Sequence, residues 1–389
     1  MKDETRVNHP PLPPQPSDNQ SLLFPIYENV KWEFETVDES LRMIRGEREG
    51  YFYSRVANPT VRQLELLLAG LQRREDCVTC ASGVNAIAQT LLALTQTNDH
   101  VLHFAEGYAP TRQLTRNLLG RYGVRSTMLS IEDHAGIERT LASTPTKLVI
   151  FESPTNPVTK IADIAVLTRL ARQHGALTVL DNTFAGFHQH GEFEVDLFVH
   201  SLTKFATGAG DVMGGAVIGS GEPIRKIRAE FRALGSQLDP HSASLMVRGM
   251  KTYFVRYRTQ SAHALTVAEW LAGRPEVENV RYPGLTSSRF HALARAQMRD
   301  FGCVVTFDLR AGAEAGRRVT EALTLFAHTA SLGSTESLIV PPQMMGGREL
   351  NAEEREWSDI RAGSIRLSIG LEDPCDLIAD LERAFAAAR

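Results

Sequence analysis

The chain has 389 residues, of which 43% are hydrophobic and 23% charged, a composition typical of globular proteins with two or three domains. Its formal net charge of −4 gives no basic field for nucleic acid or an acidic membrane surface. No apolar stretch reaches the ~20 residues of a membrane span, and the acidic start Met1–Thr5 is unlike a signal peptide. We expect a cytoplasmic protein that binds neither nucleic acid nor membrane.

Residues 1–50 are predicted to form an extended N-terminal arm. The proline-rich run Pro10–Pro16 cannot be helical. The segment Phe24–Tyr27 is apolar and is also predicted to be extended. An arm with apolar residues needs a surface to lie on, and a neighbouring subunit is one candidate.

Residues 51–250 are predicted to form an α/β domain, because helical stretches alternate with short apolar runs. The runs are Val101–Phe104, Leu148–Phe151, Thr178–Leu180 and Leu197–Val199. This alternation is typical of a largely parallel sheet covered by helices, in which ligands bind beyond the carboxyl ends of the strands. Glu152, Asp181 and Ser201–Lys204 follow such strands.

Residues 251–389 are predicted to form a smaller α+β domain. A long helix is expected from Lys251 to Leu271, and the runs Cys303–Phe307 and Ser364–Ile369 have the character of strands. Asp376–Arg389 places apolar residues on one face of a terminal helix.

Cys77 and Cys80 form a lone Cys-x-x-Cys pair. A structural zinc site needs a second pair of ligands, and none is apparent. We therefore predict buried thiols and no metal site, with a redox pair as the alternative. His188 and His190 are interpreted as loop residues rather than metal ligands.

Lys204 is the most informative residue, because it follows an apolar strand and precedes the glycine-rich turn Gly208–Gly215. A buried lysine amine can lose its proton and become a nucleophile. Asp181 ends a neighbouring strand. A lysine that forms a Schiff base and an aspartate that pairs with a pyridinium nitrogen are what pyridoxal 5'-phosphate (PLP) requires of a protein.

A series of different short motifs extends from about Tyr51 to the C-terminus. These are Tyr53-Ser54-Arg55, Asn58-Pro59-Thr60, Ser82-Gly83, Tyr108-x-x-Thr111, Glu152-Ser153-Pro154-Thr155-Asn156-Pro157, Asp181-Asn182-Thr183, Ser201-x-Thr203-Lys204, Tyr282-Pro283-Gly284-Leu285, Ser331-Leu332-Gly333, Glu336-Ser337-Leu338 and Ile365-Arg366-Leu367-Ser368. In this order they resemble the Cys/Met-metabolism family of PLP enzymes, which includes cystathionine γ-synthase, cystathionine and methionine γ-lyases and O-acylhomoserine sulfhydrylases. The resemblance implies a type I PLP-dependent transferase (aspartate aminotransferase-like) fold.

The resemblance also implies roles around the cofactor ring. Lys204 would hold PLP and move the Cα proton of the substrate, and Asp181 would keep the pyridine nitrogen protonated. Tyr108 would stack on the ring and protonate the leaving group. Asn156 would bond the ring oxygen, and Thr183 belongs to the same cofactor-binding set.

For the cofactor phosphate, the resemblance implies donors from two subunits. Within one subunit they are Ser82, Gly83 and Val84 at a helix N-terminus, with the hydroxyls of Ser201 and Thr203. Tyr53 and Arg55 would reach the phosphate of the adjacent subunit. Active sites shared across a dimer, or a dimer of dimers, are therefore expected.

For the substrate, the resemblance implies that Arg366 grips the α-carboxylate with help from Ser331. Three segments depart from the family pattern and predict an altered substrate pocket. They are Tyr108–Thr111, Gly208–Asp211 and Pro341–Gly347. Phe52 and Ala330 stand where cystathionine-handling members often carry acids, which argues against cystathionine as the substrate.

The predicted function is γ-elimination on a γ-substituted L-amino acid of the methionine or homoserine-derivative class, giving a 2-oxo acid and ammonia. Apolar Phe52 and the glycines Gly346 and Gly347 suit a neutral side chain. The alternative is γ-replacement with a thiol or another nucleophile. A nicotinamide oxidoreductase is disfavoured because Gly219-Ser220-Gly221 has Ile224 where a third glycine belongs. A non-catalytic PLP-fold binding protein is disfavoured by Lys204 and Arg366.

Overall fold

A computed structural model describes residues 2–11 and 22–388 of the chain, which form two α/β units. The strands are β1 Asp76–Cys80, β2 His100–Phe104, β3 Arg125–Leu129, β4 Leu148–Glu152, β5 Leu177–Asp181, β6 Leu197–Ser201, β7 Gly215–Gly219, β8 Val277–Arg281, β9 Val304–Leu309, β10 Ala327–His328, β11 Leu338–Val340 and β12 Ser364–Ser368. The predicted strands are β2, β4, β5, β6, β9 and β12; the sequence did not predict β1, β3, β7, β8, β10 and β11.

The helices surround and join the two sheets. They are α1 Asp3–Asn8, α2 Val37–Ile44, α3 Pro59–Leu71, α4 Gly83–Leu94, α5 Ala109–Gln113, α6 Leu119–Arg121, α7 His134–Ser143, α8 Ile164–Gln173, α9 Gly221–Leu234, α10 Pro240–Met250, α11 Tyr253–Ala272, α12 His291–Gln297, α13 Gly312–Ala322, α14 Ala352–Ser358 and α15 Pro374–Ala387. A π-helical turn covers Leu114–Leu118 and a 3-10 turn covers Pro342–Met344. No helix in the described ranges has both the length and the apolar character to cross a membrane.

The first sheet has seven strands in the order β1-β7-β6-β5-β4-β2-β3. The strands from β6 to β3 run parallel, and β7 is antiparallel to both of its neighbours. Alternate residues of β4 belong to separate apolar cores, with Val149 and Phe151 on one face and Leu148 and Ile150 on the other. The predicted, largely parallel sheet covered by helices is thereby confirmed, with a separate apolar core on each face.

The strand register brings polar residues together at one edge of this sheet. Glu152 at the end of β4 lies opposite Asp181 at the end of β5. Ser201 at the end of β6 lies opposite Gly215 at the start of β7. The carboxyl ends of the parallel strands therefore form a common ledge.

The second sheet has five strands in the order β10-β11-β12-β9-β8. The long helix α11 connects the two units, because its ends belong to different cores. Tyr253 and Tyr257 pack into the core of the first unit, whereas Val267 and Leu271 pack into the core of the second.

The N-terminal segment differs from the extended arm that was expected, because it contains the helices α1 and α2. In α1, Val7 is buried in the same core as α3, so apolar packing supports a short helix. In α2, the Thr36 side chain caps the helix by accepting a hydrogen bond from the Glu39 amide. Phe24–Tyr27 is neither helix nor strand, and the Tyr27 amide bonds Thr60 Oγ1 at 2.9 Å. Residues 12–16 of the proline run lie outside the described residues.

Cys77 and Cys80 lie on opposite faces of β1. Cys77 belongs to one core and Cys80 to the other, since residues three apart on a strand point to opposite sides. Both thiols are free and buried, and burial raises the pKa of each. This arrangement fits the predicted packing role rather than a redox pair.

Candidate active site

Lys204 lies at the ledge, three residues beyond the end of β6. Its Nζ donates a hydrogen bond to Ser331 Oγ at 2.8 Å. Burial, followed by the positive charge of Arg366, lowers the pKa of Lys204 to about 8. The amine is therefore far easier to deprotonate than a surface lysine.

Arg366 projects from β12 of the second unit and meets residues of the first. Its Nη1 donates to Asn156 Oδ1 at 2.8 Å, and its Nη2 donates to the Ser331 carbonyl at 2.8 Å. Its Nε is buried and has no hydrogen-bond partner in the described structure. Burial lowers the pKa of Arg366 to about 10. The guanidinium thus stays cationic at neutral pH and pairs with no carboxylate in the part of the chain that the structure describes.

Ser331 connects these two cations through both its side chain and its backbone. It adopts a φ of +108°, an uncommon conformation for a residue other than glycine. In this conformation its hydroxyl accepts from Lys204 while its carbonyl accepts from Arg366. The Lys204 amine and the Arg366 guanidinium are consequently both hydrogen-bonded to the same residue, Ser331.

Asp181 is fixed by Thr183. The Thr183 hydroxyl and amide donate to Asp181 Oδ1 at 2.6 and 3.1 Å, which leaves Oδ2 for another donor. The Thr183 hydroxyl in turn accepts from the Ser201 amide at 2.9 Å. Burial raises the pKa of Asp181, and a cationic N–H donor against Oδ2 would lower it.

Glu152 was noted in the sequence only as a strand-end residue and received no role. The structure shows that its Oε1 accepts from the backbone amide of Tyr108, and its Oε2 accepts from the amide of Asn156 at 3.1 Å. Burial, followed by the charge of Asp181, raises the pKa of Glu152 to about 8. The Glu152-to-Pro157 motif was the available sequence signal.

Tyr108 precedes helix α5 and is 37% exposed. Burial and the nearby carboxylates of Glu152 and Asp181 raise the pKa of its phenol. Behind it, the buried Arg112 donates to the carbonyls of Ala105 and Gly107 and to Glu349 of the second unit. The segment that carries Tyr108 is therefore anchored from both sides.

The N-terminus of α4 approaches the ledge closely. A Cβ on Gly83 would lie 2.7 Å from the Ser201 Cβ, and a Cβ on Gly215 would lie 2.1 Å from the Ser82 carbonyl oxygen. The Ser82 hydroxyl accepts from the Asn85 amide at 3.1 Å, and Val84 follows within the first turn. Helix N-terminal amides favour anions, so this end of α4 suits a phosphate.

Thr203 takes part in the turn around Lys204. Its hydroxyl accepts from the Gly214 amide at 3.1 Å and donates to the Gly214 carbonyl at 3.3 Å. This pairing ties the segment after β6 to the start of β7.

Tyr53 and Arg55 are not brought to this cluster within one chain. Both are exposed, and the Arg55 guanidinium lies 5.7 Å from the centre of the Tyr53 ring. Arg55 donates to the Arg232 carbonyl at 2.8 Å. The neighbouring Phe52 is also exposed, at 42%.

The chemistry of this donor set fits PLP. The partly buried amine of Lys204 has no carboxylate partner among the described residues, Asp181 keeps one oxygen available, and the α4 N-terminus approaches Ser201 without an intervening side chain. PLP needs an amine, an acceptor at its ring nitrogen and an anion site for its phosphate.

Comparison with known proteins agrees with this chemistry. Residues 7–386 match the family model described as Cys/Met metabolism PLP-dependent enzyme. The chain is 39% identical over 389 residues to an L-methionine gamma-lyase of Pseudomonas putida, covering 99% of this chain and 97% of that protein. It is 36% identical to an O-succinylhomoserine sulfhydrylase of Pseudomonas aeruginosa, covering 93% and 90% of the two chains.

Solved structures share the whole fold. A putative O-acetylhomoserine (thiol)-lyase of Campylobacter jejuni, which carries a pyridoxyl-lysine phosphate, superposes with a TM-score of 0.93 at 30% identity. The match covers 99% of this chain and all of that one. The expected type I PLP-enzyme fold and the PLP cofactor are thus confirmed. The chain belongs to the Cys/Met metabolism family of PLP-dependent enzymes.

Proposed function

We propose that this enzyme catalyses γ-elimination on a γ-substituted L-amino acid of the methionine or homoserine-derivative class. Addition of water to the products of this elimination gives 2-oxobutyrate and ammonia, and the γ-substituent leaves with a proton. The full-length similarity to an L-methionine gamma-lyase at 39% identity is the observation that carries the proposal. Further proteins of that name are 35–36% identical to the chain.

The cofactor would be held by residues of both the ledge and helix α4. Lys204 would bind it covalently, with Asp181 Oδ2 facing its ring nitrogen and Tyr108 against its ring. Asn156 would bond its ring oxygen. The phosphate would lie at Ser82, Gly83 and Val84, with the hydroxyls of Ser201 and Thr203 nearby, and Thr183 would orient Asp181. PLP, when bound, withdraws electrons from the substrate Cα and so makes its proton acidic.

Lys204 is the candidate for moving protons at the substrate Cα and Cβ. Its lowered pKa of about 8 allows the same amine to accept and return a proton near neutral pH. The hydrogen bond to Ser331 Oγ would hold this amine in place once substrate has displaced it. Tyr108 would donate the proton to the leaving group.

Arg366 would bind the substrate α-carboxylate. Within residues 2–11 and 22–388, its buried Nε has no hydrogen-bond partner and the guanidinium has no acidic partner. A carboxylate would meet both needs through a charge-assisted bond. Ser331 would help, because its carbonyl orients the guanidinium.

Tyr53 and Arg55 are proposed to complete the phosphate site of a second copy of the chain. Their exposure within one chain supports this placement. The assembly would be a cytoplasmic dimer or dimer of dimers. The chain would divide into an N-terminal arm of residues 1–50, a PLP-binding domain of residues 51–250 and a C-terminal domain of residues 251–389.

γ-Replacement is the second candidate, and the O-succinylhomoserine sulfhydrylase relative at 36% identity favours it. Both reactions need the same proton transfers at Cα and Cβ. They differ in whether a thiol or another nucleophile adds after the γ-group has left.

A product assay separates the two. Purified protein with PLP is offered L-methionine, L-homocysteine, L-cystathionine, O-acetyl- and O-succinyl-L-homoserine and L-canavanine, each with and without sulfide or a thiol. We expect 2-oxobutyrate and ammonia without an added nucleophile. A new amino acid that forms only when the nucleophile is present would replace elimination with γ-replacement.

A further inference from the structure

We propose that Glu152 is a positioning residue that fixes Tyr108 and Asn156 against the cofactor and, through Asn156, orients Arg366. The inference rests on the proposed placement of PLP at this ledge. It holds for elimination and for replacement alike, since both use the same cofactor geometry.

The contacts of Glu152 reach two loops that follow different strands. Oε1 accepts from the Tyr108 amide in the segment after β2, and Oε2 accepts from the Asn156 amide in the segment after β4. One carboxylate therefore sets the separation of the residue proposed to stack on the ring and the residue proposed to bond its oxygen.

The positioning by Glu152 extends to the second unit through Asn156. Its amide donates to Glu152, while its side-chain oxygen accepts from Arg366 Nη1 at 2.8 Å. Glu152 is thus two hydrogen-bonded steps from the proposed carboxylate-binding group. A shift of the Asn156 backbone would carry its side chain, and with it the guanidinium, away from the substrate position.

The surroundings of Glu152 argue against a purely structural carboxylate. In the described residues Glu152 forms no ion pair, although it is buried and lies opposite Asp181 across the β4–β5 pair. By contrast, the buried Glu106 pairs with Lys160 at 3.1 Å. A second acid beside Asp181 is costly to bury, and its two bonds go only to loops that carry proposed cofactor residues.

The test compares Glu152→Gln with a matched control elsewhere in the chain. Glutamine keeps the size but has a single acceptor oxygen, so one of the two backbone amides loses its partner. Asp380→Asn is the control, because Asp380 is also buried and accepts from the amides of Thr324 and Leu325 within the second unit, although unlike Glu152 it also pairs with Arg383. The readouts are the PLP dissociation constant, the visible absorption of bound PLP, and the melting temperature of the cofactor-free protein.

We expect Glu152→Gln to weaken PLP binding about tenfold, as expected for one unsatisfied buried donor, and to shift the visible band. Asp380→Asn should lower the melting temperature and leave PLP affinity unchanged. A melting-temperature loss in Glu152→Gln with wild-type PLP affinity and spectrum would overturn the proposal. If Glu152→Gln does not fold, Glu152→Asp, whose shorter side chain cannot reach both amides, is measured in the same way.

A double-mutant cycle tests the route through Asn156. If Glu152 acts through that residue, the losses in PLP affinity from Glu152→Gln and Asn156→Ala should combine to less than their product. If the two losses in PLP affinity multiply fully, Glu152 does not act through Asn156. Because PLP affinity is measured without substrate, failure of this proposal is distinguishable from failure of γ-elimination, which only the product assay reports.

Discussion

The amine of Lys204 and the hydroxyl of Ser331 lie 2.8 Å apart, although 127 residues separate them along the chain. The first residue belongs to the seven-stranded unit, and the second lies shortly before β11 of the other unit. Because Ser331 also accepts from Arg366, the proposed proton-moving group and the proposed carboxylate-binding group share one anchor. The junction of the two units, rather than either one alone, builds the site.

Replacement of Lys204 by alanine should lower kcat at least about a thousandfold, because the chain loses both the covalent attachment and the proton carrier. Lys226→Ala is the control, since Lys226 is exposed on α9. Steady-state release of 2-oxo acid or of the replacement product gives the answer. Substantial residual turnover in Lys204→Ala would contradict the mechanism.

The rate at which cofactor-free protein captures PLP should rise with pH, with a midpoint near 8. Only the neutral amine of Lys204 attacks, and its lowered pKa makes that form available below the usual range of lysine. Arg366→Met removes the nearby positive charge, so the midpoint should move upward. Stopped-flow absorbance measures the rate, and a simple alkylamine in the same buffers corrects for the ionisation of PLP. A midpoint near that of free lysine would refute the assignment.

Arg366→Lys should raise KM for the amino acid about tenfold to a hundredfold, because lysine keeps the charge but loses the planar fork. Lysine also cannot reproduce the simultaneous bonds to Asn156 and Ser331. Arg295→Lys on the exposed face of α12 serves as the control. Unchanged KM in Arg366→Lys would place the carboxylate elsewhere.

Gly83→Ala should weaken PLP binding by about tenfold or more, although alanine is a better helix former than glycine by about 1 kcal/mol. The reason is space, since the new Cβ would lie 2.7 Å from Ser201 Cβ and force α4 away from the ledge. Gly120→Ala, where a Cβ meets nothing within 4 Å, should leave PLP binding unchanged. Fluorescence titration with PLP distinguishes the two. Equal PLP affinities of the two variants would show that phosphate binding does not require the close approach of α4 to Ser201.

Lys160→Met should destabilise the fold by about 3–5 kcal/mol, because it leaves the buried Glu106 without its cation. Lys160 also donates to the Trp357 carbonyl at 2.7 Å and so links the two units. The Arg317→Ala variant breaks the exposed ion pair of Arg317 with Glu314, and it should leave the free energy of unfolding measurably unchanged. Urea unfolding reports both. A loss in Lys160→Met no larger than in Arg317→Ala would contradict the prediction.

The strand ends that carry Asp181 and Lys204 were predictable from the sequence, because buried parallel strands are short apolar runs that end in polar residues. Strands β2, β4, β5 and β6 of the first sheet and the C-terminal helix α15 followed from the same local patterns. β1 and β7 were missed because Asp76–Cys80 is partly polar and Gly215–Gly219 is glycine-rich, so neither has a strand-like pattern on its own. Helices α1 and α2 were missed because short helices depend on packing and capping more than on propensity.

The sequence by itself determined the family and its PLP cofactor, because the motifs around Lys204, Asp181 and Arg366 occur in family order. Only the tertiary structure decided how those residues are tuned and held. Burial beside Arg366 lowers the pKa of Lys204, and Glu152 acquires its two amide donors from separate loops. Such effects depend on distances between residues far apart in the chain, which strand register and domain packing set and local sequence does not encode.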